Sequence, residues 1–274
     1  MRILILLFVV IYFPIHASAQ FNYPIKVIEP TKYIVTYSLK YQPDSLNSSF
    51  IDEKEMLLFV GNNGSKFISK NFFTRDTIVR KIKSWAEFDA IMTGPSRQVP
   101  RSAFLYQIFK NYPKGDLTCI DYTADGGFIY TEILNGFNWQ LAGETATHNG
   151  YKVQKATTSF GGRKWVAWFA PELPFNDGPY KFNGLPGLIV KLYDSRNHYV
   201  FEFISINKPH KELMIDYVVK DFVKATKQDF FRAEDAFRAD IINRAKTAGL
   251  NNELQQRAAR NMARKNNPIE LKRK

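Results

Sequence analysis

The chain reads as α+β and mostly β: a curved antiparallel sheet, half-barrel-like, with one helix after the first strands and further helices at the C-terminus. Three observations predict this. Short runs rich in β-branched and aromatic residues recur at near-regular spacing, with Gly, Asn, Asp and Pro between them. No alternation of strand and helix signals appears that would suggest parallel βαβ units. From about Thr226 the apolar period changes to a helical one. Hydrophobic residues make up 45% of the 274 positions and charged residues 23%, enough for a sizeable core.

The elements follow in order. Tyr33–Lys40 has strand composition, and the polar stretch Gln42–Phe50 reads as a loop. Met56–Val60 and Lys66–Ser69 flank Gly61-Asn62-Asn63-Gly64, residues that tolerate the positive φ of a tight turn, so these two runs form a hairpin. A helix is predicted from Asp76 to Met92, because Ile78, Ile82, Trp85, Phe88 and Ile91 share one face, and Gly94-Pro95-Ser96 stops it. Strands resume at Phe104–Phe109, Leu117–Tyr122 and Phe128–Ile133. Tyr151–Ser159 and Arg163–Phe169 form a hairpin across Gly161-Gly162. Leu188–Tyr193 and His198–Ile206 are separated by the turn residues Asp194-Ser195-Arg196-Asn197. Thr226-Lys227-Gln228-Asp229 resembles a capping box, with Phe230, Ala233, Phe237, Ile241 and Ala245 on one helical face and Gly249 as its stop. A more polar helix spans Asn252–Arg264.

The N-terminus carries a targeting pattern. Arg2 precedes an apolar run from Ile3 to Phe13, followed by the small residues Ala17-Ser18-Ala19 and Gln20. This predicts a cleaved secretory signal over residues 1–19, cut after Ala19, and a periplasmic or secreted mature chain. The run is too short to span a bilayer, which takes about 20 residues, and no later segment could. Residues 20–215 then form the β-rich domain and residues 216–274 a helical extension with a basic tail. A single cysteine, Cys119, excludes an intrachain disulfide, and its place in a strand reads as buried and inert. The net charge is +12; seven basic residues against Glu270 alone give Gln255–Lys274 a net +6. That tail lacks interleaved aromatics for stacking on bases, so it reads as a solvated terminus and nucleic acid is not expected as a partner.

The densest signature lies in Gly178-Pro179-Tyr180-Lys181-Phe182-Asn183-Gly184-Leu185-Pro186-Gly187-Leu188-Ile189. Leu185-Pro186-Gly187-Leu188 fits a type II turn, with Pro setting φ at its second position and Gly supplying positive φ at its third. Gly184, Leu185, Pro186, Gly187, Leu188 and Ile189 spell a motif by which the chain is identified as resembling the GLPGLI family of exported, Bacteroidetes-type bacterial proteins. The agreement extends to Leu58-Phe59, Arg75-Asp76, Phe137-Asn138-Trp139, Glu144-Thr145, Gly150-Tyr151-Lys152, Gln154-Lys155-Ala156, the strand of Trp168, and Asp194. It covers roughly Tyr33 to Ile206. Val153 stands where members commonly have Cys. The resemblance implies export and supplies no catalytic residues. More distantly, the strand-rich body resembles lipoprotein-carrier half-barrels, a fold-level analogy only.

Two readings of the loop stand side by side. In one, Tyr180 and Phe182 plug the end of the core and the Gly/Pro set serves geometry. In the other, extended backbone turns Tyr180 and Phe182 to one side and presents Lys181 from a rigid rim, beside Glu172 and Asp177. No metal is expected, since His148, His198, His210 and Cys119 lack ligand spacing. Nucleophilic catalysis lacks a Gly-x-Ser-x-Gly elbow or any Cys/His signature, and with no phosphate-cradling loop followed by a helix no cofactor is expected either. The sequence therefore favours a non-enzymatic binding or accessory protein with no assigned catalytic residue. Its ligand would be apolar or peptide-like, held in an aromatic-lined concave sheet near Trp168, Glu172, Asp177, Tyr180 and Lys181, or it would serve an envelope protein partner. The alternatives are a hydrolase using Glu172 and Asp177 as an acid/base pair, and a structural surface component.

Overall fold

A computed structural model describes residues 24–92, 99–123 and 125–272. The expected signal segment and the Gly94-Pro95-Ser96 stop lie outside the described residues. The strands are β1 (Ile25–Pro30), β2 (Tyr33–Tyr41), β3 (Asp52–Val60), β4 (Ser65–Ser69), β5 (Gln107–Lys110), β6 (Asp116–Thr123), β7 (Gly126–Ile133), β8 (Gln140–His148), β9 (Tyr151–Phe160), β10 (Arg163–Ala170), β11 (Leu188–Asp194), β12 (Tyr199–Asn207), β13 (Met214–Val218) and β14 (Val223–Lys224). The helices are α1 (Lys70–Val79), α2 (Trp85–Met92), α3 (Lys227–Ala239), α4 (Ile241–Thr247) and α5 (Asn252–Ala263).

Among the described residues, twelve strands form one open sheet in the order β14-β7-β6-β5-β4-β3-β2-β12-β11-β10-β9-β8. All its pairings are antiparallel except β14 with β7. The mostly-β, antiparallel expectation is met, and the sheet does not close into a barrel. Bulges interrupt the ladders at Trp168/Phe169 and Phe203/Ser205, where an extra residue bends a strand and increases its twist.

Alternation splits the side chains into two cores. Met56, Leu58 and Val60 face the larger one with Tyr37, Phe67, Trp165 and Phe201. Leu57 and Phe59 face a smaller core with Ile68, Phe109, Phe72 of α1 and Ile215 of β13. The ribbon formed by β1 and β13 and the helix α1 thus cover the far side of the sheet centre. Double coverage explains why β4 and β5 are buried at every position.

Several expected elements differ in detail. The helix expected over Asp76–Met92 is two helices. Ser84 Oγ accepts from Glu87 N–H at 3.2 Å and starts α2 afresh, so Ile82 is buried between the helices while Trp85 is 66% exposed. The capping box at Thr226 and Asp229 is present in both directions, and the helix it opens breaks at Asp240 into α3 and α4. The tail read as solvated returns to the sheet over Asn266–Lys272, with Asn267, Ile269 and Glu270 buried.

Candidate functional site

The Gly178–Ile189 stretch leads from the β10–β11 connection into β11 and packs against the larger core. Phe182 is fully buried, with ring centroids of Trp165 at 4.8 Å, Phe137 at 5.0 Å, Phe160 at 5.4 Å and Trp139 at 6.1 Å. Burying one such ring contributes about 2–3 kcal/mol. The indole N–H of Trp139 donates to Asn183 O, and the Tyr37 hydroxyl donates to Ile189 O. This face of the sheet is therefore packed with the chain's own aromatics, as the plug reading has it.

The motif does not form the expected type II turn. Gly187 N–H donates back to Leu185 O at 2.8 Å, a three-residue turn centred on Pro186, and Leu188 N–H donates across the loop to Leu173 O. Gly187 has φ +153°, and a Cβ placed there would lie 2.3 Å from Ala170 O. Glycine is thus required twice, by conformation and by the approach of the β10 backbone.

Lys181 also differs from the rim reading. Tyr180 takes a left-handed conformation, φ +55°, which breaks the extended alternation and turns Lys181 inward with its neighbours. Its side chain is 2% exposed, and its ammonium pairs with Glu132 and, at 2.7 Å, with Glu270 Oε1, which also accepts from the Tyr180 hydroxyl. Lys227 of α3 bridges the same two carboxylates, at 2.7 Å and 2.5 Å. Burial opposes the Lys181 charge, yet electrostatic interaction with Cys119, Tyr180, Tyr130 and Glu270 holds its pKa above the usual lysine value. Burial likewise opposes the Glu270 charge, and Lys181 and Lys227 together keep its carboxyl below the usual range.

Asp177 is spent on a second buried cation. Lys110 of β5 donates to Asp177 Oδ1 and Gly178 O, both at 2.5 Å, and to Phe182 O at 3.1 Å. Glu172 lies exposed just beyond β10. Cys119 is buried, which pushes its thiol up to about 12 and makes it a poor nucleophile. Among the described residues no group of three or more His, Cys, Asp or Glu could hold a metal ion.

Trp168 is elsewhere. It lies on the outward side of the sheet, in register with Lys155 and Lys191. There it lines an open groove of about 440 Å³ with His148, Val153, Lys191, Tyr193 and Val200. The groove crosses β8 to β12 beside the edge strand β8. His148 Nε2 is buried without a hydrogen-bond partner, and burial together with the nearby Lys191 charge holds the imidazole below its usual pKa. Lys191 pairs with Glu202 at 2.8 Å. Of the five residues singled out from sequence, only Trp168 lines this groove. His148 and Tyr193 were missed as site residues, although Asn149-Gly150, with φ of +48° and +84°, is a two-residue hairpin signal that marks β8 and places His148 opposite Tyr151.

A family model described as "Protein of unknown function (Porph_ging)" matches residues 161–191. This is the GLPGLI-type family expected from the motif. The matched segment runs from the Gly161-Gly162 turn through β10 and the plug into β11, so the family signature coincides with the loop that fills the core. No curated protein matches the chain. Solved structures of PNGF-II in the P21 and C2 space groups are similar at 14% identity, with TM-scores of 0.48 and 0.47. The similarity covers 74% of this chain and 32% of that chain, about a third of its length, and is too distant to carry an argument.

Proposed function

We propose that this GLPGLI-type protein is an exported envelope protein that acts by binding, and that its recognition surface is the outward groove at Trp168. The observation that carries the reading is the pairing of an open groove having an aromatic floor with a buried, unpartnered His148 Nε2 at its wall. Buried polar atoms are nearly always satisfied, so an unpaired ring nitrogen at a groove wall suits a ligand hydrogen bond. Trp168, Tyr193, Val153 and Val200 offer apolar contact, and His148, Lys191 and Asn197 offer polar contact. This mixture, next to an edge strand, suits an extended peptide-like ligand that adds to β8. Secretion rests on the Arg2 and Ile3–Phe13 pattern with its small-residue site at Ala17–Ala19.

The test is affinity selection of a random peptide library on immobilised mature protein, followed by titration of the selected peptides against the Trp168→Ala and Tyr193→Ala variants. A buried aromatic anchor contributes at least about 2 kcal/mol, so each variant should weaken binding about 30-fold. Selected peptides that bind both variants as tightly as the parent would place recognition elsewhere and refute the assignment.

A further inference from the structure

The segment Asn266–Lys272 makes contacts of the kind a bound peptide makes with a receptor. It has no helix or strand. Arg163, 2% exposed, donates to Ile269 O at 3.0 Å, Pro268 O at 2.7 Å and Asn267 Oδ1 at 2.6 Å while its remaining charge meets Asp194 at 2.9 Å. Asn267 Nδ2 donates to Gln42 O, and the Tyr199 hydroxyl donates to Asn267 O, both at 2.7 Å. Glu270 is read by Tyr180, Lys181 and Lys227. Leu271 and Lys272 N–H both donate to Gly161 O in the β9–β10 turn. Backbone and side chain are thus recognised over four successive residues, Asn-Pro-Ile-Glu.

Its attachment is slight by comparison. The segment follows α5, which has no buried residue. A cavity of about 410 Å³ lies beside it, between Asp235 and Arg238 of α3, Met262 of α5, and Pro268. We propose that the groove formed by Arg163, Tyr199, Tyr180, Lys181 and Lys227 is a peptide-recognition site, which the C-terminal segment occupies in cis and a partner peptide of the sequence type Asn-Pro-apolar-Glu occupies in trans.

Charge sets the specificity. With the segment gone, Lys181 and Lys227 face Glu132 alone, a net positive charge in a buried site. Arg163 and Asp194 remain balanced. The ligand must therefore bring one carboxylate at the Glu270 position and a neutral amide at the Asn267 position, since an unpaired buried charge is costly. The covalent tether gives the cis segment an effective concentration of about millimolar, so it competes with any ligand in trans.

The probe is a fluorescein-labelled synthetic peptide of residues 266–272, titrated by polarisation against the full chain and against a chain ending at Lys265. Saturable binding to the shortened chain is expected, at least tenfold weaker to the full chain, and at least tenfold weaker for a peptide carrying Glu270→Gln. A shortened chain that retains its circular dichroism but ignores the peptide overturns the proposal, as does equal affinity for the Gln peptide. If the shortened chain does not fold, the peptide should restore its folding, and failure to do so counts against the proposal. Hydrogen exchange on the full chain is a second measurement: the Leu271 and Lys272 amides must open separately from, and faster than, those of β9 and β10. Exchange of both amides only with global unfolding overturns the proposal.

Discussion

Replacing Gly187 with alanine separates the plug from a loop that merely decorates the sheet. The added Cβ would sit 2.3 Å from Ala170 O, 2.6 Å from Ala170 C and 2.8 Å from Pro171 N. All three are backbone atoms, so no side chain can swing away. The φ of +153° adds conformational strain for any L side chain. Strain of this kind costs about 1–3 kcal/mol, and overpacking costs about 1–3 kcal/mol more. The expected destabilisation is about 2–6 kcal/mol, against a total stability for a typical domain of about 5–15 kcal/mol. Gly184→Ala is the control: its φ is +90°, but nothing lies within 4 Å of the new Cβ, so only the strain remains. Urea unfolding followed by tryptophan fluorescence measures both. For a chain of this size Gly187→Ala should lower Tm by roughly 8–16 °C at the middle of that range. The reasoning fails if Gly187→Ala stays within about 0.5 kcal/mol of the parent, or if Gly184→Ala is equally damaging.

Two further outcomes follow from the buried cations. Lys66 is buried, with its ammonium donating to Asp216 O at 2.6 Å, and burial pushes its pKa down to about 8. A folded-state pKa below the unfolded one disfavours folding while the unfolded lysine is charged, so this penalty is full below pH 8 and fades as pH rises to about 10.5. Lys66→Met should remove a rise in stability of at most about 3 kcal/mol across that window, measured by urea unfolding at several pH values; an unchanged profile would contradict it. Asp177→Asn leaves Lys110 without its carboxylate and should cost about 3–5 kcal/mol in the same assay, whereas a loss under 1 kcal/mol would show that the pair does not hold the loop.

Much of the architecture was legible in local pattern. Period-2 runs and Gly/Asn turns marked most strands of the sheet, and Thr226–Asp229 marked the start of α3. Ser84-Trp85-Ala86-Glu87 carried the break between α1 and α2, but the apolar face on either side of it suggested continuity. The loop was harder. Alternation presents Lys181 outward only if the backbone is extended, and Tyr180 in a left-handed conformation reverses that. The Tyr180 hydroxyl also donates to Glu270, 90 residues away, a long-range contact with no local signature. The same contact explains why the basic tail could not be read as packed: its one acidic residue meets two lysines that only the fold brings together. Trp168 reached the groove by strand alternation alone, while His148 needed the register of a hairpin.

Amide hydrogen exchange across the Gly178–Ile189 loop addresses the central claim, that the family motif is packed into the core as a plug and is not a mobile rim. The amides of Gly184, Gly187, Leu188 and Ile189 donate to Asn176, Leu185, Leu173 and Asp177 carbonyls. If the loop is a plug, the Leu188 and Ile189 amides open only with the sheet and exchange as slowly as those of β10. Exchange of these amides well ahead of β10, as in a mobile rim, would contradict the account.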